Sequence, residues 1–161
     1  MRSKSRPFSR AAFGALGLLL ATAAAALQIG FSAASIEPSP GIAIEEAGPL
    51  RVPVAVRIRR GYHVNSDRPN EPYLIPTSLT WDSPPFPVHS VDYPPAEQVR
   101  YDFSDEPLSV FSSRIEIVTT FRVESVPDGI DELRGQFRFQ ACNDRACLPP
   151  RTIPVTVPVR R

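Results

Sequence analysis

Residues 113–123, Ser-Arg-Ile-Glu-Ile-Val-Thr-Thr-Phe-Arg-Val, carry the longest regular strand pattern in this 161-residue chain. Every second position belongs to one set: Ile115, Ile117, Thr119, Phe121 and Val123. The positions between them are mostly polar or charged. Because side chains of a β-strand point alternately to its two faces, this pattern predicts a strand with one buried face and one exposed face.

The same period of two recurs on both sides of this segment. Residues 50–60 alternate an apolar set, Val52, Val54, Val56 and Ile58, with the arginines Arg51, Arg57 and Arg59. Residues 152–159 place Ile153, Val155, Val157 and Val159 on one face and Pro154 and Pro158 on the other, which is typical of an edge strand facing solvent. Shorter strands are predicted at residues 62–65, 78–82, 88–93 and 133–141, and one beginning near Leu108.

Helices are not expected in the body of the chain. No window there shows an apolar stripe with helical spacing, and 19 prolines would interrupt most helices. Short strands separated by frequent turn signals indicate an all-β, immunoglobulin-like antiparallel β-sandwich. The Cys…Trp…Cys pattern of antibody domains is absent, so the likeness extends to the architecture only.

The N-terminal 34 residues are predicted to be a signal peptide. Arg2, Lys4, Arg6 and Arg10 form a basic start, residues 11–26 are apolar, and small residues at positions 32–34 suit cleavage. An uncleaved anchor is the alternative, although about 16 apolar residues are fewer than the roughly 20 that span a membrane. The predicted organisation is therefore a signal peptide at 1–34, a linker or entry segment at 35–49 and one domain at 50–161, exported to an oxidising compartment such as the periplasm.

Charge argues against several partners. The predicted leader holds four of the 18 basic residues and no acidic one, so 14 basic and 17 acidic side chains remain. A mildly acidic domain with scattered arginines has no electrostatic footprint for nucleic acid. It also lacks a polybasic membrane patch, so contact with a membrane is expected only through an uncleaved leader.

The chain's two cysteines, Cys142 and Cys147, stand where a strand pattern gives way to a turn. Asn143-Asp144 favours a turn, and Pro149-Pro150 ends regular structure just after the second cysteine. A disulfide closing about six residues stabilises a fold by only about 2 kcal/mol, which favours a redox-active pair over a structural staple. The staple remains an alternative. A half-built zinc site is a weaker one, because His63 and His89 show no ligand spacing.

Two further features are candidates for chemistry. His63, at the start of a strand, fits a hydrogen-bonded structural histidine better than a catalytic one. Residues 101–107, Tyr-Asp-Phe-Ser-Asp-Glu-Pro, form an aromatic and acidic segment. It could shield a reactive disulfide and manage its protons, or be a connector whose aromatic rings enter the core.

Three segments resemble one known family: residues 61–66 (Gly-Tyr-His-Val-Asn-Ser), residues 74–79 (Leu-Ile-Pro-Thr-Ser-Leu) and, most specifically, residues 140–150 (Gln-Ala-Cys-Asn-Asp-Arg-Ala-Cys-Leu-Pro-Pro). They are similar to the N-terminal periplasmic domain of the thiol–disulfide interchange protein DsbD, the disulfide bond corrector family. The resemblance covers roughly residues 42–159. It implies that Cys142 and Cys147 are the exchanging pair and that Cys147 forms the mixed disulfide with a partner. It also implies a cap loop over Tyr101, Asp102 and Phe103, with Phe103 as cap and Asp102 as its carboxylate.

The resemblance also implies partners. Domains of this family pass electrons from a membrane-embedded reductase to periplasmic thioredoxin-like oxidoreductases, including those of cytochrome c biogenesis, without a metal or organic cofactor. Because this sequence shows no multi-helix membrane segment and no thioredoxin-like Cys-x-x-Cys motif, a separate membrane thiol reductase is expected. The alternative function is a secreted β-sandwich binding module with a purely structural disulfide.

Overall fold

The computed structural model describes residues 31–126 and 129–160. The basic start and apolar run of the predicted signal peptide lie outside these residues. Strands form at β1 (Ala34–Ile36), β2 (Ile42–Ala43), β3 (Gly48–Ile58), β4 (His63–Asn65), β5 (Ser78–Trp81), β6 (Val88–Asp92), β7 (Glu97–Val99), β8 (Leu108–Ser112), β9 (Arg114–Val123), β10 (Glu132–Phe139), β11 (Ala141–Cys142) and β12 (Arg151–Arg160). Within the described ranges there is no helix, and therefore none long and apolar enough to cross a membrane.

The described strands form three four-stranded sheets, in the orders β1-β3-β9-β6, β2-β12-β10-β5 and β11-β4-β8-β7. The pairings of the described strands are antiparallel except for the short contact between β2 and the end of β12, which is parallel. The all-β, immunoglobulin-like sandwich predicted from the sequence is confirmed. The third sheet leads to the cysteine pair, because β11 ends at Cys142.

Alternation along the long strands builds the core. In β3 and β9 the predicted apolar faces are buried, and the two strands pair from Gly48 opposite Val123 to Arg57 opposite Arg114. Phe137 and Phe139 on β10 are likewise buried, with ring centroids 5.3 Å apart. The hydrophobic effect acting on these faces therefore fixes which side of each strand points inward.

Trp81, on β5 of the second sheet, contacts β9 of the first sheet. Its indole Nε1 donates a hydrogen bond of 2.9 Å to Thr119 Oγ1 on β9, and its ring meets Phe121 edge-on at 5.3 Å. On its own side, Trp81 lies opposite Gly135 of β10. A Cβ at position 135 would stand 2.4 Å from the carbonyl oxygen of Thr80, so only glycine fits beneath the indole.

Residues 35–49, predicted as a linker or entry segment, contribute to β1, β2 and the start of β3. β1 pairs with β3, from Ala34 opposite Ile58 to Ile36 opposite Val56, and β2 adds to the end of β12. Ala33 and Ala34, predicted as cleavage-site residues, are each 2% exposed. The segment was unrecognisable as strand because two- and three-residue strands are too short to show a period of two.

The proline-bearing strand β12 has the predicted orientation. Pro154 and Pro158 are exposed, while Val155 and Val157 are buried. β12 pairs along its length with β10, whereas β2 covers only Val159 and Arg160 on its other side. Most of that side is therefore an open edge, where the missing proline N–H costs no ladder hydrogen bond.

Candidate functional site: the cysteine hairpin and its neighbours

Cys142 and Cys147 are joined by a disulfide with their Cα atoms 3.9 Å apart. The residues between them form a tight hairpin, in which the Asn143 N–H donates to the carbonyl oxygen of Ala146 at 3.0 Å. The Asn143 side-chain oxygen accepts hydrogen bonds from the Arg145 and Ala146 N–H groups, each at 2.9 Å. The turn predicted at Asn143-Asp144 is thus present, and the Asn143 carboxamide holds it closed.

The two sulfur-bearing residues have different surroundings. Cys142 is fully buried at the end of β11, whereas Cys147 is exposed on the returning arm of the hairpin. On the C-terminal side of Cys147, Leu148 and Pro149 line an apolar groove of about 300 Å³. A reagent from solvent can therefore reach Cys147, while Cys142 is covered by the protein.

His63 lies directly opposite Cys142. The ladder pairs β11 with β4 so that Cys142 faces His63 and Ala141 faces Val64. Side chains of directly opposed residues in an antiparallel pair project to the same face, with Cβ atoms about 5 Å apart. His63 is only 3% exposed.

The side chain of His63 differs from the sequence prediction. Its Nε2 is buried and has no hydrogen-bond partner among the described residues, so the expectation of a hydrogen-bonded structural histidine is wrong. Burial lowers the pKa of His63 to about 4, because the charged imidazolium loses its hydration. The ring is therefore neutral at physiological pH.

The predicted cap segment stacks on His63. The Tyr101 ring lies 4.3 Å from the His63 ring at an interplanar angle of 20°, and the Phe103 ring stacks on the Tyr101 ring at 5.4 Å. Tyr101 is half-buried, which raises the pKa of its hydroxyl, whereas Asp102 and Phe103 are exposed. The structure thus places Tyr101 and Phe103 in one stack with the residue opposite Cys142, and it leaves Asp102 in solvent.

Gln140 holds the base of the hairpin. Its side-chain oxygen accepts from Asn65 Nδ2 at 3.0 Å and from the Ile75 N–H at 3.1 Å, and its Nε2 donates to the Leu148 carbonyl oxygen at 3.4 Å. One side chain therefore ties together β4, the loop before β5 and the exit of the cysteine hairpin. Sequence reasoning missed this role, although Gln140 belongs to the segment quoted for the family resemblance.

The described residues show no group of three or more His, Cys, Asp or Glu side chains that could hold a metal ion. His89 lies on the edge strand β6 of the first sheet. His63 lies in the third sheet, opposite Cys142 of the disulfide. The two histidines are thus separated in the fold as well as in the sequence.

Fold and site together define the class of this protein: an all-β sandwich whose exposed hairpin carries a short-range disulfide. The chain belongs to the family described as "Thiol:disulfide interchange protein DsbD, N-terminal", whose model matches residues 39–158. Family and disulfide together support thiol–disulfide interchange as its general activity. No curated protein matches the sequence.

Two solved structures are similar in fold. The N-terminal periplasmic domain of ScsB from Proteus mirabilis matches with a TM-score of 0.51 and 12% identity, over 77% of this chain and 44% of that one. The reduced DsbD N-terminal domain of Neisseria meningitidis matches with a TM-score of 0.47 and 14% identity, over 70% of this chain and 84% of that one. At such identities the ScsB match shows the fold alone.

Proposed function

We propose that this protein is an exported thiol–disulfide interchange domain that passes electrons from a separate membrane thiol reductase to periplasmic thioredoxin-like oxidoreductases. The observation that carries the proposal is the unequal exposure of its disulfide, with Cys147 open to solvent and Cys142 buried. The rate of thiol–disulfide exchange depends on access to the reacting sulfur, and the exchange passes through a mixed disulfide. Membership of the family supports the same activity.

The exchange proceeds in two displacements. The thiolate of Cys147 attacks a disulfide sulfur of the partner, forming a mixed disulfide and releasing the partner's other cysteine as a thiolate. The Cys142 sulfur then attacks Cys147 Sγ, which restores the Cys142–Cys147 bond and releases the second partner thiolate. Two electrons pass to the partner, and no metal or organic cofactor enters either step.

Covalent trapping tests this assignment. A Cys142→Ala variant should accumulate a mixed disulfide with an oxidised, purified thioredoxin-like oxidoreductase, and a reductant should dissolve the complex. The matched Cys147→Ala variant retains only the buried thiol and should trap little or nothing. Equal trapping by both variants would contradict the assignment of Cys147. Absence of trapping by either would favour a binding module with a structural disulfide.

A redox titration in glutathione or dithiothreitol buffers supplies an independent measurement. Thiol alkylation should give a midpoint above about −300 mV, within reach of other exchange proteins. Circular dichroism should show that the reduced protein keeps its sheets. A midpoint far below that value, or unfolding on reduction, would make the disulfide a staple.

The same proposal assigns Tyr101, Asp102 and Phe103 to a cap over the disulfide. Support comes from the ring stack, which begins at His63 opposite Cys142 and ends at Phe103. Phe103→Ala should raise the rate at which glutathione reduces the disulfide several-fold, because it removes the outer ring. Asp102→Asn tests the carboxylate in the same assay. Tyr73→Ala, which removes a more exposed aromatic side chain from another loop, is the control and should change nothing.

A further inference from the structure

Cys142 must lose a proton before it can complete the exchange. The thiolate is the attacking species, and burial in apolar surroundings raises the pKa of a thiol. Cys142 is fully buried, so solvent does not reach it directly. A proton acceptor inside the fold would therefore speed the second displacement.

His63 is placed to be that acceptor. It is the direct cross-strand neighbour of Cys142, and its buried Nε2 has no hydrogen-bond partner in the described part of the chain. An unpaired buried nitrogen is unfavourable for stability, which calls for another reason for its presence. Its burial keeps the imidazole neutral at physiological pH, the form that can accept a proton.

The groups around His63 leave this role open. Cys142 faces it from β11 and Ser112 from β8, and Tyr101 covers its ring from the segment after β7. Burial, followed by the charge of Glu97, raises the pKa of Tyr101, so its hydroxyl is uncharged at neutral pH. None of these three neighbours carries a carboxylate or a cation that would fix the protonation state of the imidazole.

We propose that His63 exchanges a proton with Cys142, its direct cross-strand neighbour, during thiol–disulfide interchange. This inference rests on the proposed function. As the Cys142 sulfur attacks Cys147 Sγ in the mixed disulfide, its proton moves to the imidazole and the electron pair of the broken bond leaves on the partner's sulfur. The imidazolium then returns its proton to solvent. In the reducing direction the imidazole first takes up a proton from solvent and passes it to the Cys142 thiolate as that thiolate departs.

A single-turnover assay of the reduced protein with dithiobis(nitrobenzoate) isolates this step. Attack by Cys147 releases one coloured thionitrobenzoate and leaves a mixed disulfide. Attack by Cys142 then releases the second, and the rate of that phase is the quantity of interest. His63→Phe keeps a buried ring to stack on Tyr101 but has no titratable nitrogen, and His63→Gln is a second, polar variant. His89→Gln on the edge strand β6 is the matched control.

At pH 7 the second phase should be about a hundredfold slower in both His63 variants, which is the lower end of the usual contribution of general acid–base catalysis. The variant rates should also rise about tenfold per pH unit below the pKa of the thiol, because only the preformed thiolate reacts. The wild type and His89→Gln should show a flatter profile above pH 5.

Three outcomes would overturn the proposal or separate it from the function beneath it. Variant rates within twofold of wild type exclude a role for His63. Rates lowered equally at every pH, with an unchanged profile, indicate a purely structural effect and likewise overturn it. If the wild type never releases the second thionitrobenzoate, Cys142 does not resolve mixed disulfides, and the proposed interchange function itself fails.

Discussion

At the residue scale, the site combines an exposed cysteine, a buried cysteine and a buried histidine. Cys147 is accessible because it lies on the returning arm of a hairpin, and Cys142 is covered because it ends a strand of the third sheet. His63 lies opposite Cys142, and its Nε2 has no hydrogen-bond partner within residues 31–126 and 129–160. The same feature that would serve proton transfer should therefore cost stability.

His63 should make the protein less stable in acid. Its pKa is about 4 when folded and near 6.5 when unfolded, so between these values the unfolded chain binds the extra proton. As the pH falls from 6.5 to 4, the free energy of unfolding should decrease by at most about 3 kcal/mol. Urea titrations at pH 7 and pH 4.5 measure this difference.

His63→Phe should remove most of that decrease, and it should raise the stability at pH 7 by about 1 kcal/mol because it eliminates a buried, unpaired nitrogen. Glu37 does not account for this decrease. The hydrogen bond from Arg114 lowers the pKa of Glu37, so the stability that this carboxylate contributes is lost only as the pH falls below about 4.5. An acid-induced loss that persists unchanged in His63→Phe would show that other groups cause it.

Gln140 should be the polar side chain on which the hairpin base depends. Gln140→Leu removes the acceptor of the Ile75 N–H and of Asn65 Nδ2, and should destabilise the fold by about 2 kcal/mol. The control is Gln136→Leu on β10, whose single bond to Asp82 is exposed and should contribute less than about 1 kcal/mol. Chemical unfolding compares the two, and equal losses would argue against a special role for Gln140.

At the element scale, two contacts determine how strands fit together: the approach of β5 to β10 at Gly135, and the addition of β1 to β3. The first places the Thr80 carbonyl oxygen and the Trp81 indole against Gly135, and the second adds a short strand to β3 by backbone pairing. Each predicts a loss of stability that burial of apolar surface alone does not suggest.

Gly135→Ala should destabilise the sandwich by about 2 kcal/mol, since the new methyl group would meet the Thr80 carbonyl oxygen at 2.4 Å and push against Trp81. Gly129→Ala tests a different cause, because position 129 has a φ of 78° but open space around it. Its cost should come from backbone strain and be about 1 kcal/mol. Thermal denaturation distinguishes these, and a neutral Gly135→Ala would mean that β5 can move outward.

β1 should be required for full stability. A chain beginning at Ser35 lacks the two buried alanines and the Ala33 carbonyl oxygen, which accepts from the Arg59 N–H at 2.8 Å. It should unfold about 1–3 kcal/mol more easily than a chain beginning at Phe31. Accordingly, any signal-peptide cleavage should fall before Ala33, which mass spectrometry of the exported protein would show. A mature protein starting at Ser35 with unchanged stability would contradict this.

At the scale of the whole molecule, the disulfide should contribute little to the sandwich. It closes a hairpin of six residues, from Cys142 to Cys147, whereas the first and second sheets contain neither cysteine. Reduction should lower the free energy of unfolding by about 2 kcal/mol or less and leave the far-ultraviolet spectrum unchanged. Urea titrations with and without dithiothreitol measure this, and cooperative unfolding on reduction would assign the bond a structural role.

The local pattern of the sequence predicts most of the long strands and the turn between the cysteines. Alternation in residues 113–123 and 50–60 predicted two long strands and the buried face of each, and Asn143-Asp144 with the proline pair predicted a turn between the cysteines and the end of regular structure after them. These features depend on strand periodicity and turn chemistry, which act between near neighbours in sequence. The segments quoted for the family resemblance also lie within the residues matched by the family model.

Only the tertiary structure decided which distant residues meet at the site. Pairing of β11 with β4 sets His63, 79 positions earlier, opposite Cys142, and stacking brings the Tyr101 ring onto the His63 ring. The short strands β1 and β2, which show no periodicity in the sequence, likewise form by pairing with β3 and β12. Such contacts are determined by strand register and packing across the whole chain, and no local pattern in the sequence encodes a register between segments so far apart.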